Sequence, residues 1–541
     1  MEPDYQSGST PVGQSKRWRV FLTALIIFSV ALVVRYIGLK FGFPLITHPD
    51  EGYIMNTVRG MSFNHTLDPG TYIYPAFPSL YSKLLFMNIL SFIRFGENYG
   101  QAAAHDPFFF YFASRLMTAV QGALLPVVAW FIGRKFKQIN FSWIAAVLFI
   151  FYPAFVLHSH YVTVDIPLTL FVMLVLLFCL NYLSSKKIFW LVTACLMVSI
   201  AAMEKYPGIL SFGIIIASIA IQAFSGDKQN GGTKWRFLFK TTTYSLLLCL
   251  IAILIIALPL FWDIDTAFTT AWRQIVQEAR PDHLGSDGLG WGGNLLYYLK
   301  DFYTNSGLII SILVVVGLVA AILMKDPAYL LLLFGGGYWI ALSVLSLHHS
   351  RWSLPMMTTP LLLAAVAVSY LWQKTRHLKA GRIALIICLA AGFLPFVLKG
   401  TVTALMLTWQ DTRNEALHYM EENDITVDNT LSEGYTPHNP GNKNDIFAFD
   451  ISNPGDKEYI VLSSFMGDRY AAEPDRYKAE NTFYANIRSQ LELVNVFQPD
   501  PEPALVIDQV KVIFEYLRRQ ITDSQSLLVT GPKLEIYKLQ E

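Results

Sequence analysis

Four groups of ionisable residues stand where long apolar runs end: Asp50-Glu51, Asp165 with His158 and His160, Glu204-Lys205, and His348-His349 with Arg351. A carboxylate can take a proton from a hydroxyl or an amine. An ammonium or guanidinium can hold a departing phosphate, so the mixture suits transfer of a group from a lipid phosphate. Charges this close to hydrocarbon are costly unless they pair or face water, which makes each group a functional candidate.

Each group also has a structural explanation to set beside the chemical one. Asp50 and Glu51 adjoin, so on a helix they point about 100° apart and cannot meet one substrate atom in the same way; one is read as a base, the other as support. Equally, Pro49 would begin a helix whose first turn favours acids. Asp165 would serve as the N-cap of a helix entered through Ile166-Pro167, a role that leaves His158 and His160 unexplained. Glu204 and Lys205 form either a neutralising pair or a cation site, with Pro207-Gly208 opening the helix behind them. Arg351 offers a planar fork suited to phosphate oxygens, and Arg115 is a weaker third cation. His283 is the residue to test in a loop whose other charges, among them Asp263, Asp265 and Arg280, read as solvated. No cofactor is required by this pattern. His160, His348 and His349 leave a divalent metal open, although their spacing matches no standard ligand motif.

The elements that must carry these residues are membrane spans. The chain has 541 residues, 53% hydrophobic and 15% charged, with a net charge of +1, and a mean hydropathy of +0.40. Apolar runs of about 20 residues, enough to cross a bilayer as helix, fall near 19–39, 108–133, 141–159, 166–184, 188–204, 206–224, 241–262, 307–324, 327–346, 353–373 and 383–405. Lys16, Arg17 and Arg19 precede the first. Arg134 to Lys137, Lys186-Lys187, Lys228 to Lys240, Lys325 and Lys374 to Arg382 occupy every second loop, which puts the N-terminus in the cytoplasm and the four candidate groups outside. Counting Tyr81–Ile93 as a further span would reverse that bias, so it is expected to lie at the outer interface.

The expected fold is a multi-pass α-helical membrane protein of about eleven transmembrane helices with a small C-terminal α/β domain. Residues 1–18 form a cytoplasmic tail and 19–405 the transmembrane catalytic domain, with ordered outer loops at 40–107 and 263–306. Residues 406–541 form the extracytoplasmic domain, with a helix from Asp411 to about Glu422 and β-branched runs at Tyr459–Ser463, Ala504–Ile513 and Leu527–Leu539. Cys179, Cys195, Cys249 and Cys388 lie in apolar runs without metal or disulfide spacing. Without a basic tract there is no nucleic-acid footprint.

In order and topology these residues resemble the GT-C membrane glycosyltransferases of family 39, the protein O-mannosyltransferases and the lipid A aminoarabinose transferases. Asp50-Glu51 resembles that family's acidic pair, Ser159-His160-Tyr161 through Asp165-Ile166-Pro167 its second acidic motif, and Glu204-Lys205-Tyr206 its Lys/Tyr turn. Gly292-Gly293-Asn294 through Tyr297-Tyr298-Leu299, Arg351-Trp352 with Pro355 and Pro360, Asp411-Thr412-Arg413, Glu433 to Pro437 and Tyr459 to Ser464 resemble later segments. Trp352 stands where the family usually has Tyr, and the β-trefoil of the eukaryotic mannosyltransferases is lacking, which favours a prokaryotic plasma-membrane enzyme.

The resemblance implies a polyprenyl-phosphate-linked sugar as donor, inversion at the anomeric carbon, and a lipid, glycan or protein acceptor. It implies Asp50 as the base, Asp165 as an orienting carboxylate, and Lys205 and Arg351 as ligands of the donor phosphate. Glu51, His160, Glu204, His348 and His283 are expected in support. A transporter or lipid flippase is the alternative; it calls for charges near the bilayer midplane and related halves, and neither is visible.

Overall fold

In a computed structural model, residues 11–539 are described except 73–74, 137, 226–230, 280–283, 285–288, 442–444, 452 and 523–527. The chain begins with α1 (Pro11–Tyr36). A connection of twelve residues leads to α2 (Pro49–Phe63), α3 (Phe77–Phe95) and the single turn α4 (Tyr99–Ala102), so the expected first outer loop is ordered and mostly helical. Pro49 stands at the start of α2, where its missing N–H costs nothing. α3 buries Phe77, Leu80, Lys83 and Met87 and leaves Leu85, Ile89, Phe92 and Ile93 open, an apolar row on its outer face. It does not count among the helices long and apolar enough to cross a membrane.

There are eight such helices among the described residues: Arg17–Tyr36, Pro107–Gly133, Asp165–Ser185, Tyr206–Phe224, Gly231–Ile256, Trp291–Leu323, Ser350–Lys374 and Lys379–Met406. They correspond to α1, α5 (Pro107–Gly133), α8 (Asp165–Ser185), α10 (Phe212–Phe224) with the 3-10 turns before it, α11 (Gly231–Ile256), α13 (Trp291–Leu323), α15 (Leu354–Lys374) with its leading turn Ser350–Ser353, and α16 (Lys379–Met406). The other three expected spans are shorter. One is split into α6 (Ser142–Phe151) and α7 (Pro153–His158); the others are α9 (Ile188–Glu204) and the segment Pro327–Ser343, which ends in α14 (Gly335–Ser343).

The split between α6 and α7 follows from Pro153, which has no N–H to give the Phe149 carbonyl. Arg35 supplies the donors instead. Wholly buried on α1, it reaches Phe149 O at 3.0 Å, Ile150 O at 3.2 Å and Ser159 Oγ at 3.2 Å. The expected span start at 307 coincides with a break: α13 is two helices that meet at Gly307, whose φ of 76° and ψ of 171° are non-helical and open to glycine without strain, and residues 291–306 form a further helix in the expected second outer loop. The rest of the expected second outer loop holds α12 (Ile264–Ala279).

After Met406 the chain becomes a mixed α/β unit. Strands Gln410–Asp411 (β1), Thr430–Ser432 (β2), Tyr459–Ser463 (β3), Glu492–Phe497 (β4), Val529–Thr530 (β5) and Leu534–Lys538 (β6) alternate with α17 (Thr412–Glu422), α18 (Ser464–Ala471), α19 (Lys478–Gln490) and α20 (Val506–Thr522). The main sheet runs β2-β3-β6-β4, with β2 parallel to β3 and the other pairs antiparallel; β1 pairs with β5 in parallel. Ile460 and Leu462 pack with Met466, Tyr484 and Ile487 on one face of the sheet. Val461 and Ile536 pack with Met420 and Ile425 on the other, which is why β3 reads as an unbroken apolar run. Ala504–Ile513, expected as a strand, instead leads into α20, because its apolar positions recur at helical spacing through Ile521.

Candidate active site

α8 enters from the site end at Asp165 and finishes before Lys186-Lys187, and α15, preceded by Arg351, finishes at Lys374. The candidate groups and the basic clusters therefore lie at opposite ends of the same helices. Asp165 is the first residue of α8 rather than its N-cap: Val164 holds that position, with no side-chain cap bond. The Asp165 carboxylate instead accepts from Lys205 Nζ at 2.9 Å. Glu204 and Lys205 do not pair with each other. Glu204 accepts the N–H of Ser79 at 3.0 Å and the Ser79 hydroxyl, tying α3 to α9, with Lys83 buried within electrostatic range.

The turn after Lys205 closes the chain rather than opening it. A Cβ on Gly208 would lie 2.1 Å from Ala201 O, so only glycine lets Tyr206–Ser211 fold so closely onto the end of α9. Lys205 is thereby held with its Nζ 5.4 Å from the ring centre of Trp352, a cation–π distance. Trp352 lies in the turn Ser350–Ser353 that carries Arg351, and Ser350 fixes this turn by donating to Asp301 Oδ1 at 2.7 Å.

Arg351 donates to Asp50 Oδ2, so the two acid–cation pairs lie side by side. Asp165 has both Lys205 and Arg351 among its electrostatic neighbours, and His158 senses Asp165, Arg351, His48 and Lys205. His48 and His158 pack on the ring of Tyr161 at 4.3 and 5.7 Å. Asp50 and Arg351 keep 27% and 26% of their side-chain surface; Asp165 keeps 4% and Lys205 15%. The accessible carboxylate is therefore Asp50. His48 lies outside the spans, and burial holds its pKa below the ordinary range, partly offset by Glu51 and Asp50. His349, edge-on to Trp352, is lowered to about 3 by burial and then by the nearby Arg351.

Glu51 points elsewhere. Arg115 clasps it with Nε to Oε1 at 2.9 Å and Nη2 to Oε2 at 2.7 Å, both side chains at 0% exposure. Arg115 Nη1 also donates to Leu39 O and Phe41 O, each at 2.9 Å, and Val162 N donates to Glu51 Oε1 at 3.0 Å. One pair thus ties α2 and α5 to the connections before α2 and before α8. The C-terminal unit holds the same connection from its other side. Arg413, bidentate to Asp411, donates to Thr47 O at 2.9 Å, and Asn414 reaches Gly42 O and Phe43 O at 3.0 and 3.1 Å.

His160 is buried between Val156 O and Ile37 O, at 2.8 and 2.7 Å from its ring nitrogens, and braces the backbone there. His348 packs against Tyr297 with ring centres 4.0 Å apart and the rings tilted by 47°. His283, with Arg280 and Asp282, lies outside the described residues. Sequence reasoning gave no role to His48, Tyr161, Ser79 or Arg35; an arginine inside the first apolar run was the signal for the last of these. Among the described residues no group of three or more His, Cys, Asp or Glu side chains could hold a metal ion.

Residues 78–265 match the family model "Dolichyl-phosphate-mannose-protein mannosyltransferase", about a third of the chain that includes Asp165 and Lys205. No curated protein sequence matches. Among solved structures, the archaeal oligosaccharyltransferase AglB from Archaeoglobus fulgidus, in complex with an inhibitory peptide and a dolichol-phosphate, is 12% identical. That likeness covers 95% of this chain and 88% of AglB with a TM-score of 0.52. ArnT from Cupriavidus metallidurans, bound to undecaprenyl phosphate, is 16% identical over 93% of this chain and 85% of its own, with a TM-score of 0.48. Residues 78–265 are thus similar to a mannosyltransferase family, and the chain as a whole shares its many-helix fold with AglB.

Proposed function

We propose that the enzyme moves a sugar from a polyprenyl-phosphate-linked donor to an acceptor on the extracytoplasmic face of the plasma membrane, inverting the anomeric centre, with Asp50 as general base. The observation that carries this reading is the pair of ion pairs, Asp50–Arg351 and Asp165–Lys205, side by side at the end of the bundle opposite the basic clusters. Under the positive-inside rule the end with the basic clusters is cytoplasmic, together with the N-terminus, and the ion pairs are outside. Residues 19–405 then form the catalytic domain, and 406–541 an extracytoplasmic domain braced against the connection that leads to Asp50.

In the reaction the acceptor O–H or N–H attacks the anomeric carbon, the carbon–oxygen bond to phosphate breaks, and polyprenyl phosphate leaves with the bonding electrons. Asp50 receives the acceptor proton, and Asp165 orients the sugar or the acceptor. Lys205 and Arg351 take the phosphate charge. The phosphate would compete with the carboxylates for these cations; as Arg351 turns toward it, the Asp50 oxygen it occupied becomes free to accept a proton. A dolichyl phosphate in the name of the matched family, and a dolichol-phosphate bound in AglB, support a donor of this class.

The test is reconstitution in lipid nanodiscs with a panel of polyprenyl-phosphate sugars, using membranes of the source cell as acceptors and scoring released polyprenyl phosphate. Consumption of one such donor is expected. If none is consumed by folded protein, the reading fails.

A further inference from the structure

α20 presents three faces rather than two. At about 100° per residue, Gln509, Val512, Tyr516 and Arg519 form one side, Asp508, Lys511, Glu515 and Arg518 a second, and Ile507, Val510, Phe514, Leu517 and Ile521 a third. The first side is covered: Val512 packs with Val402, Leu405 and Trp409, and Arg519 donates to Thr408 Oγ1 at 2.7 Å. The second is polar and internally neutralised, with Lys511 at 3.3 Å from Asp508 and Arg518 at 2.8 Å from Glu515. On the third, Phe514 is 67% and Ile521 85% exposed, and Ile507 and Leu517 are exposed with them. An open apolar row on a helix that already has a packed face needs a partner.

Position identifies that partner. Val402 and Leu405 belong to the last turns of α16, so α20 lies beside the end of a span, at its depth, rather than above it. Ile37, at the end of α1, joins the same cluster. α1 and α16 are among the least enclosed of the spans, and Val30, Val33, Ile386, Ile387 and Leu394 on them are exposed. The open row of α20 therefore continues a surface that these two spans give to lipid.

We propose that α20 lies in the headgroup region of the bilayer on the side of the C-terminal domain. Ile507, Phe514, Leu517 and Ile521 reach among the acyl chains and anchor that domain to the membrane next to α16. The partner is the lipid surface itself, and with its charges paired the helix binds by apolar insertion rather than by attraction to anionic lipid.

The test uses full-length protein in phosphatidylcholine nanodiscs on a Cys388→Ser background, the other three cysteines being buried. A nitroxide is placed at Phe514→Cys, at Ile521→Cys, or on the polar side at Lys511→Cys. Collisions with oxygen, which concentrates in lipid, are compared with collisions with a water-soluble nickel chelate. The oxygen-to-nickel ratio is expected to be roughly threefold or more higher at 514 and 521 than at 511 for a helix inserted by its apolar face. Equal ratios at the three positions would overturn the proposal, because the row then faces water. So would spin–spin broadening at 514 and 521 that disappears when labelled protein is diluted with unlabelled, because a second copy of the chain then covers the row.

Discussion

Glu51 and Asp50 are neighbours in sequence, each bound to an arginine, and the two pairs differ in almost everything else. Glu51–Arg115 has no exposure and draws in the backbone of Leu39, Phe41 and Val162. Asp50–Arg351 keeps about a quarter of its surface and joins side chains that lie beside Asp165 and Lys205. A charge pair that is sealed and connected to two backbone segments is a fastening. A pair left open next to two further charges is one that a substrate can enter.

The comparison breaks most severely if Glu51→Gln is harmless. Removing one partner of a sealed pair leaves a buried charge uncompensated, at a cost of about 3–5 kcal/mol. A thermal melt in detergent should show a large loss of Tm or no folded protein, whereas Asp50→Asn should shift stability by no more than about 1 kcal/mol, as for other partly exposed pairs. The cations sharpen it next. Lys205→Ala should weaken polyprenyl-phosphate binding, measured by titration in nanodiscs, by roughly tenfold to a hundredfold, the value of a hydrogen bond to a charged group. Arg351→Lys keeps the charge but loses the fork, and should cost less, roughly tenfold.

A smaller effect is expected from the far side of the same connection. Arg413→Lys can still pair with Asp411 but loses Thr47 O, a loss of about 1 kcal/mol that should appear as a roughly fivefold fall in kcat with little change in donor KM. The last concerns pH. His349 has a folded pKa lowered to about 3 by burial, so the unfolded chain binds the proton first as pH falls below about 6.5. Stability should therefore be full near neutrality and decline between these two values. His349→Asn should flatten that decline in melts recorded from pH 7 to pH 4.

What the sequence revealed and what it hid divide along similar lines. Span positions were legible because apolar length and the alternation of basic loops are one-dimensional properties. The break at Pro153, the helix at 291–306 and the helical α20 were less so. Each depends on what packs nearby: Arg35 supplying lost hydrogen bonds, Gly307 turning the helix, α16 covering one face of a β-branched segment. Asp50, Asp165, Lys205 and Arg351 could be singled out because charges beside hydrocarbon demand a reason. Their pairing could not be read: of the two readings open for Glu204 and Lys205, the neutralising pair does not form, since Glu204 binds Ser79 and Lys205 binds Asp165. A flippase, the competing reading, would place its charges near the midplane, whereas here they stand at the ends of α8, α9 and α15.

The most direct measurement is release of polyprenyl phosphate from a lipid-linked sugar in nanodiscs, wild type against Asp50→Asn, with melts recorded on the same samples. The expected result is a loss of turnover of about a hundredfold to ten-thousandfold, the usual contribution of a general base, with Tm nearly unchanged. Normal turnover by folded Asp50→Asn would contradict the assignment of Asp50 as the base.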